Sequence, residues 1–313
     1  MQCKNFSRVD EIFLLGFQNL QNLKIFFFLT LLIIYCITLF GNLQIILLVS
    51  SNKNLQRPMY FFLSQLAFSD ILLSNSIVPN MLRVVLYGGT TITFESCLTQ
   101  FYFFTASEAL ECLLLTVMSY DRYQAICNPL HYTSVISHLF CVKAIVLFWL
   151  FIFIIILMIS LSISQLEFSG PNIIDHFFCD FAPLLDLSCS NTFVVEMESM
   201  LLAIPLVICP FVVITISYIY IVYTILKIPS VSGRQKTFST CSSHLAVVSL
   251  YYGSLISIYL FPNQENIKKV FALFYTVITP LLNPVIYSLR NKDIKQAFVK
   301  IFVFLKLNSG FNS

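Results

Sequence analysis

Residues 97–125, CLTQFYFFTASEALECLLLTVMSYDRYQA, decide how the chain must be read. Between Cys97 and Tyr120 the only charges are Glu108 and Glu111, set among Phe, Leu, Val and small residues. A block of about 20 or more such residues crosses roughly 30 Å of hydrocarbon as a helix. A carboxylate turned toward lipid would be costly, so ionisable groups in such a block face protein or a hydrated interior. Residues three, four, seven and eleven apart share a helical face. Phe104, Glu108, Glu111 and Arg122 therefore project from one side, and that side is the interior of a bundle.

Working outward, similar blocks lie near 25–49, 58–86, 140–163, 194–226, 234–260 and 268–289. The last two are the weakest, because Tyr, Ser and Thr dilute them. Apolar residues make up 58% of the 313 positions and charged residues 11%, against about 45–50% and about 25% in soluble domains. Too few charges remain to cover a soluble surface. The expected fold is an all-α membrane protein, a seven-transmembrane helix bundle with a short amphipathic C-terminal helix. It forms one domain over 1–313, with an outer segment 1–24, a bundle over 25–289 and a tail over 290–313. Residues 1–24 hold no separate apolar core, so no cleaved signal peptide is expected.

Basic residues set the orientation. The loop 50–57, the stretch Arg122–Lys143, residues 227–236 and the tail from Arg290 hold 12 of 18 Lys and Arg, with Asp121 and Asp293 their only acids. The opposite segments hold six basic residues and ten acids, among them Glu95, Glu167, Asp175, Asp180, Asp186, Glu196 and Glu198. The basic side is thus expected in the cytoplasm and the N-terminus outside, at the plasma membrane. Asn5-Phe6-Ser7 then falls where glycosylation can occur. The net charge of +3 gives no sign of a nucleic-acid partner. Asn291–Lys306 alternates Lys with Ile, Phe and Val, which suits a helix lying on lipid headgroups. The outer segment 164–193 is long and polar, a length that is uncommon without a function.

Several residues allow two readings. Asp70 and Glu111 sit at matching depths, and two acids there must share a proton or a cation such as Na+, or else act as protonated polar links between helices. Asp121-Arg122-Tyr123 is either an ion-pair switch or an electrostatic anchor at a helix end. His244 either senses pH or makes a polar interhelical bond. His176, three residues before Cys179, carries little sign of a metal site, and no metal is expected. Of ten cysteines, only Cys3, Cys97, Cys179 and Cys189 lie on the oxidising side, where a bridge persists. Enzyme signatures are missing: there is no phosphate-cradling glycine loop, no zinc-type pair and no nucleophile triad. A transporter or channel is the rival class, but transporters show repeats or matching broken helices, and neither is visible.

The string Met118-Ser119-Tyr120-Asp121-Arg122-Tyr123-Gln124-Ala125-Ile126-Cys127-Asn128-Pro129-Leu130-His131-Tyr132 resembles the hallmark of vertebrate olfactory receptors, within the rhodopsin-like G-protein-coupled family. Further matching blocks are Gly41-Asn42, Arg57-Pro58-Met59-Tyr60-Phe61-Phe62-Leu63, Ser217-Tyr218, Lys236 to Leu245 and Pro280 to Asn291, in the family's order. Ser119, Gln124, Gln56 and Thr237 are mild departures. The resemblance implies a receptor for a small odorant, signalling through a heterotrimeric G protein of the stimulatory olfactory type that raises cyclic AMP. It implies a pocket lined by Phe104, Thr105, Glu108, Leu202, Leu206, Tyr252, Leu255, Ile256, Tyr259 and Thr276, with Tyr252 at its floor. It implies a switch involving Asp121, Arg122, Tyr123, Tyr218, His244, Asn283, Pro284 and Tyr287, and a bridge between Cys97 and Cys179. The family's second bridge needs a Cys where Ser169 stands, so Cys189 is expected as a free or differently paired thiol. Glu108 is not supplied by the family's usual sequence. It either hydrogen-bonds a neighbouring helix or selects ligands with an amine or another strong polar head.

Overall fold

The computed structural model of the chain describes residues 9–17, 23–168, 172–260, 265–290 and 293–297. Asn5, Ser169, the side chain of Tyr259 and the tail beyond 297 fall outside the described residues. Seven long helices dominate what is described: α1 Lys24–Ser51, α2 Pro58–Tyr87, α3 Phe94–Cys127, α4 His138–Ser164, α5 Phe193–Leu226, α6 Val231–Leu260, and α7, which runs Glu265–Leu273, Phe274–Ile278 and Thr279–Arg290. Each apolar block of the sequence lies inside one of them, and the ends differ by at most three residues. Six are long and apolar enough to cross a membrane. The exception, α6, is as long as α2 but carries the Ser, Thr and Tyr that weakened it in the sequence.

Local chemistry sets the ends. Thr93 and Ser137 cap α3 and α4 by accepting the N–H of Ser96 and Phe140, which satisfies donors the first turn leaves open. Pro58 opens α2, where no intrahelical N–H is needed. Gly88 closes it in a left-handed conformation. Both α5 and α7 contain one π turn, at Ile204–Ile208 and Phe274–Ile278. Pro205 lies in the first, and Pro280 follows the second. Such turns re-aim the side chains beyond them and are frequent at functional sites.

Helix α3 runs through the centre, packed against α2, α4, α5 and α6. Leu110, Leu114 and Leu115 on it are fully enclosed. Where α1 meets α7, a side chain at Gly41 would come within 3.1 Å of Pro284, and Asn42 donates to the carbonyl of Pro280 at 3.0 Å. Close approach at a small residue, fastened by one polar group, is typical of packing in lipid.

One end of the bundle carries β-structure that the sequence reading did not include. Strand β1, Glu11–Leu14, pairs antiparallel with β2, Thr90–Thr93, and parallel with β3, Ile173–Ile174. Ile12 and Leu14 are buried, and Glu11 and Phe13 face outward, the period-2 alternation of a half-covered strand. A turn follows at Gly16, with φ +65, where any Cβ would stand 2.1 Å from Val84. The N-terminal strand thereby ties the two loops together as a cap.

Candidate functional site: a ligand-receptor core

Beneath the sheet, residues 175–180 lie across the bundle mouth. The Cys97–Cys179 disulfide fixes this segment to α3, as the resemblance implied. Gln100 supports it, donating to Ser76 at 2.8 Å and accepting the N–H of Cys179 at 3.0 Å. Cys189 is also disulfide-bonded, to a partner outside the described residues. Of the two states expected for it, the differently paired thiol holds and the free thiol does not. Phe177 and Phe178 are fully buried. Phe17 stacks on the first at 5.3 Å, and Phe104 meets the second edge-on at 4.9 Å.

Two polar groups in this segment are strongly affected by enclosure. Burial pushes the His176 imidazole down to about 3, and the positive charges of Lys269 and Lys268 add to the shift. It therefore stays neutral between two phenyl rings. Burial raises the Asp180 carboxyl, while the Phe181 N–H and Lys268 pull it back. Lys269 reaches from α7 to Asp175 at 2.6 Å and to the Gly16 carbonyl at 3.1 Å. Its side chain is 6% exposed, that of Asp175 53%. This clasp was not anticipated. The signal was present, since Lys268-Lys269 opens the seventh span opposite an acidic loop.

Lower in the bundle, Phe104, Leu206, Tyr252 and Thr276 are buried, and Thr105, Glu108, Leu202 and Leu255 partly so. Ile256 differs from expectation: it is 45% exposed, because the rotation of α6 gives the enclosed face to Tyr251, Tyr252 and Ser254. Thr276 spends its hydroxyl on the Ala272 carbonyl. Thr105 Oγ1, Glu108 Oε1 and Tyr252 Oη are shut away from solvent with no hydrogen-bond partner among the described residues. The neighbour of Tyr252, Tyr251, donates to the Glu108 carbonyl at 3.1 Å and lies 3.1 Å from Cys112 Sγ, joining α6 to α3.

Midway down, Asp70 and Glu111 are both 1% exposed, and Asn283 stands between them. Its Nδ2 lies 3.0 and 3.1 Å from the Asp70 oxygens and 3.4 Å from Glu111 Oε1. One amide thus bridges two acids from α2 and α3. Asn283 was expected in the switch, and the structure places it with these carboxyls. Two buried carboxylates that share one neutral donor are under-compensated, so the cluster suits a proton or a small cation. Among the described residues no group of three or more His, Cys, Asp or Glu is arranged to hold a metal ion.

At the far end, Asp121 is fully buried and pairs with Arg122. Tyr132 donates to the other Asp121 oxygen at 2.7 Å, a contact the sequence gave no reason to expect, because Tyr132 follows a turn eleven residues on. Tyr218 meets His244 Nδ1 at 2.7 Å, the interhelical bond of the two alternatives weighed for His244. Tyr287 is buried with its hydroxyl unpartnered among the described residues. Tyr123 lies edge-on to Tyr220 at 6.0 Å.

The family described as olfactory receptor matches residues 31–304 of the chain. Human olfactory receptor 11L1 is 46% identical over 304 residues, covering 96% of this chain and 94% of the relative. Rat olfactory receptor 1468 is 43% identical, covering 97% and 98%. The chain belongs to the olfactory receptor family. Squid rhodopsin, at 18% identity, superposes with a TM-score of 0.68 over 87% of this chain and 83% of its own, which shows the shared seven-helix fold. The olfactory receptor described here is accordingly a multi-pass membrane signalling receptor of the G-protein-coupled class and not an enzyme. Membership also decides against the transporter reading, and it sets the geometry above in a protein whose task is to carry a signal between its two ends.

Proposed function

We propose that a small, mostly apolar odorant binds beneath the sheet, among Phe104, Thr105, Glu108, Leu202, Leu206, Tyr252, Leu255 and Thr276, and that its binding activates a stimulatory olfactory-type G protein and raises cyclic AMP. The sheet end faces the exterior of the plasma membrane and the Arg122 end the cytoplasm, following the excess of Lys and Arg on the latter side. Sites of this kind are mostly apolar, with a few polar groups that fix orientation.

The observation that carries the reading is the run of buried polar side chains down the bundle. It begins at Thr105 and Glu108, passes the Tyr251–Cys112 contact and the Asp70–Asn283–Glu111 cluster, and ends at Tyr218–His244 and Asp121–Arg122–Tyr132. Polar groups in a low-dielectric interior interact strongly, and partly satisfied ones rearrange together. Asp70 and Glu111 hold a proton or Na+ in the resting state, with Asn283 orienting them. A ligand shifts the equilibrium only through tighter binding to the active arrangement. There Arg122 leaves Asp121, and Tyr218 and Tyr287 move to admit the G protein.

The test is a panel of volatile amphipathic compounds applied to cells expressing the receptor, with and without the stimulatory α-subunit. Cyclic AMP should rise only when the subunit is present. A ligand response of equal size without it would overturn the coupling.

A further inference from the structure

We propose that the ligand carries an amine, and that its ammonium group binds beside Glu108 and Asp180. This rests on the reading of the residues beneath the sheet as the ligand site, and it adds the chemical class.

Glu108 Oε1 and Thr105 Oγ1 lie one helical turn apart on one face of α3, both closed to solvent and both without a partner among the described residues. Tyr251, the polar side chain that reaches Glu108, donates to its backbone carbonyl and leaves the carboxyl unspent. A buried carboxyl left in that state is expensive, and a ligand with N–H donors relieves it.

The surrounding charge selects the sign. The charged groups that bear most on Glu108 are themselves acids, Asp180 and Glu111. Asp180 has one oxygen engaged by the Phe181 N–H at 2.8 Å. Of the nearby lysines, Lys269 is committed to Asp175 and Gly16, and Lys268 acts on Asp180 and His176. His176 is held neutral. A carboxylic acid beside Glu108 and Asp180 would meet two acids, whereas an ammonium would meet two carboxyl groups.

The walls agree. Phe104 sits one turn outward of Glu108, with Phe178 at 4.9 Å and Tyr275 at 6.2 Å from its ring. Aromatic faces attract a cation at about 6 Å or less, and the attraction grows when water is excluded. The same rings accept the hydrocarbon part of the molecule.

The probes are straight-chain amines of about four to eight carbons and 2-phenylethylamine, each with the alcohol and the carboxylic acid of the same skeleton. Full-length receptor is read in two ways, by cyclic AMP in cells and by the ligand-induced shift in heat resistance of detergent-solubilised protein. Amines should be the active class. Glu108→Gln should lower their potency about ten- to a hundredfold, equal to roughly 1.4–2.8 kcal/mol, with alcohols moving less than about threefold and Glu108→Asp retaining most of the amine response. Amines that raise heat resistance without raising cyclic AMP support the inference and count against the coupling instead. A surface-expressed receptor that ignores every amine in both readouts overturns it, as does amine potency unchanged in Glu108→Gln. Activation by acids alone overturns it while leaving the odorant-receptor reading intact.

Discussion

Consider removing the two members of the Lys269–Asp175 pair one at a time. The lysine side chain is 6% exposed and the aspartate 53%, so the two changes leave different residues behind. Lys269→Met keeps a long apolar stem in place and frees Asp175, which is half in water and rehydrates. What is lost is the charge-assisted bonding to Asp175 and to the buried Gly16 carbonyl, on the order of 1.5–3 kcal/mol. Asp175→Ala instead leaves an ammonium enclosed, with the Gly16 carbonyl as its one remaining hydrogen-bond partner among the described residues. Breaking a buried pair in this way costs about 3–5 kcal/mol, and the exposure of Asp175 puts this case near the lower figure. The exposed partner is thus the more damaging one to lose. In the Lys269→Met background, Asp175→Ala should then cost under about 0.5 kcal/mol, since no buried charge is left to strand. The assay heats detergent-solubilised receptor and follows the monodisperse fraction by gel filtration. Lys269→Met melting below Asp175→Ala, or a double variant losing the sum of the singles, would refute the argument.

Arg122→Ala should reach the surface normally but lose ligand-driven cyclic AMP; full signalling at equal surface level would remove it from the switch. Tyr132→Phe deletes one of two holds on Asp121 and should raise basal cyclic AMP by about two- to tenfold, as loss of roughly 0.5–1.5 kcal/mol gives; an unchanged baseline would count against it. Cys97→Ser and Cys179→Ser should sharply cut surface expression, and Cys189→Ser should cut it too, because that sulfur is bridged; normal flow-cytometry levels for Cys189→Ser would show that its bridge is dispensable. His176 is held neutral by burial, with a folded value near 3 against 6.5 unfolded, so its stabilisation is complete above about pH 6.5 and is lost as pH falls. From pH 7 to pH 5 it should cost about 2 kcal/mol, and His176→Gln should flatten that part of the acid melting profile.

The helices were legible because their signal is redundant. Each block is far longer than a soluble strand or helix needs to be, and its ends coincide with charge, Pro or Gly. The interior face of α3 was legible for the same reason, since acids in lipid have so few acceptable positions that the 3.6-residue period fixes where they point. Glu111 and Asp70 thereby met as expected, and Cys97 met Cys179. Ile256 failed on that criterion. On α6 the hydroxyl residues point both ways, with Ser254 buried and Ser249 exposed, so polarity does not mark one face, and the rotation is settled by packing against α3 and α7.

The sheet and the Lys269 clasp were hidden for a different reason. Strand β1 is four residues long, and its partners lie about 80 and 160 positions away. A stretch such as Glu-Ile-Phe-Leu becomes a strand only because the loops after α2 and α4 end up beside it. Pairing at that separation is decided by where the helices deliver the loops, which is a property of the folded bundle. Cys189 belongs to the same class. Losing the local partner at Ser169 said only that the usual loop closure was gone, and the thiol found another partner once the loop had been brought to the mouth. The mouth of the bundle is thus built by pairings between distant segments, while the polar run beneath it is constrained by lipid at every turn. Under the amine proposal, the ligand class rests on the one unspent hydrogen bond of Glu108, while the run below keeps its partners.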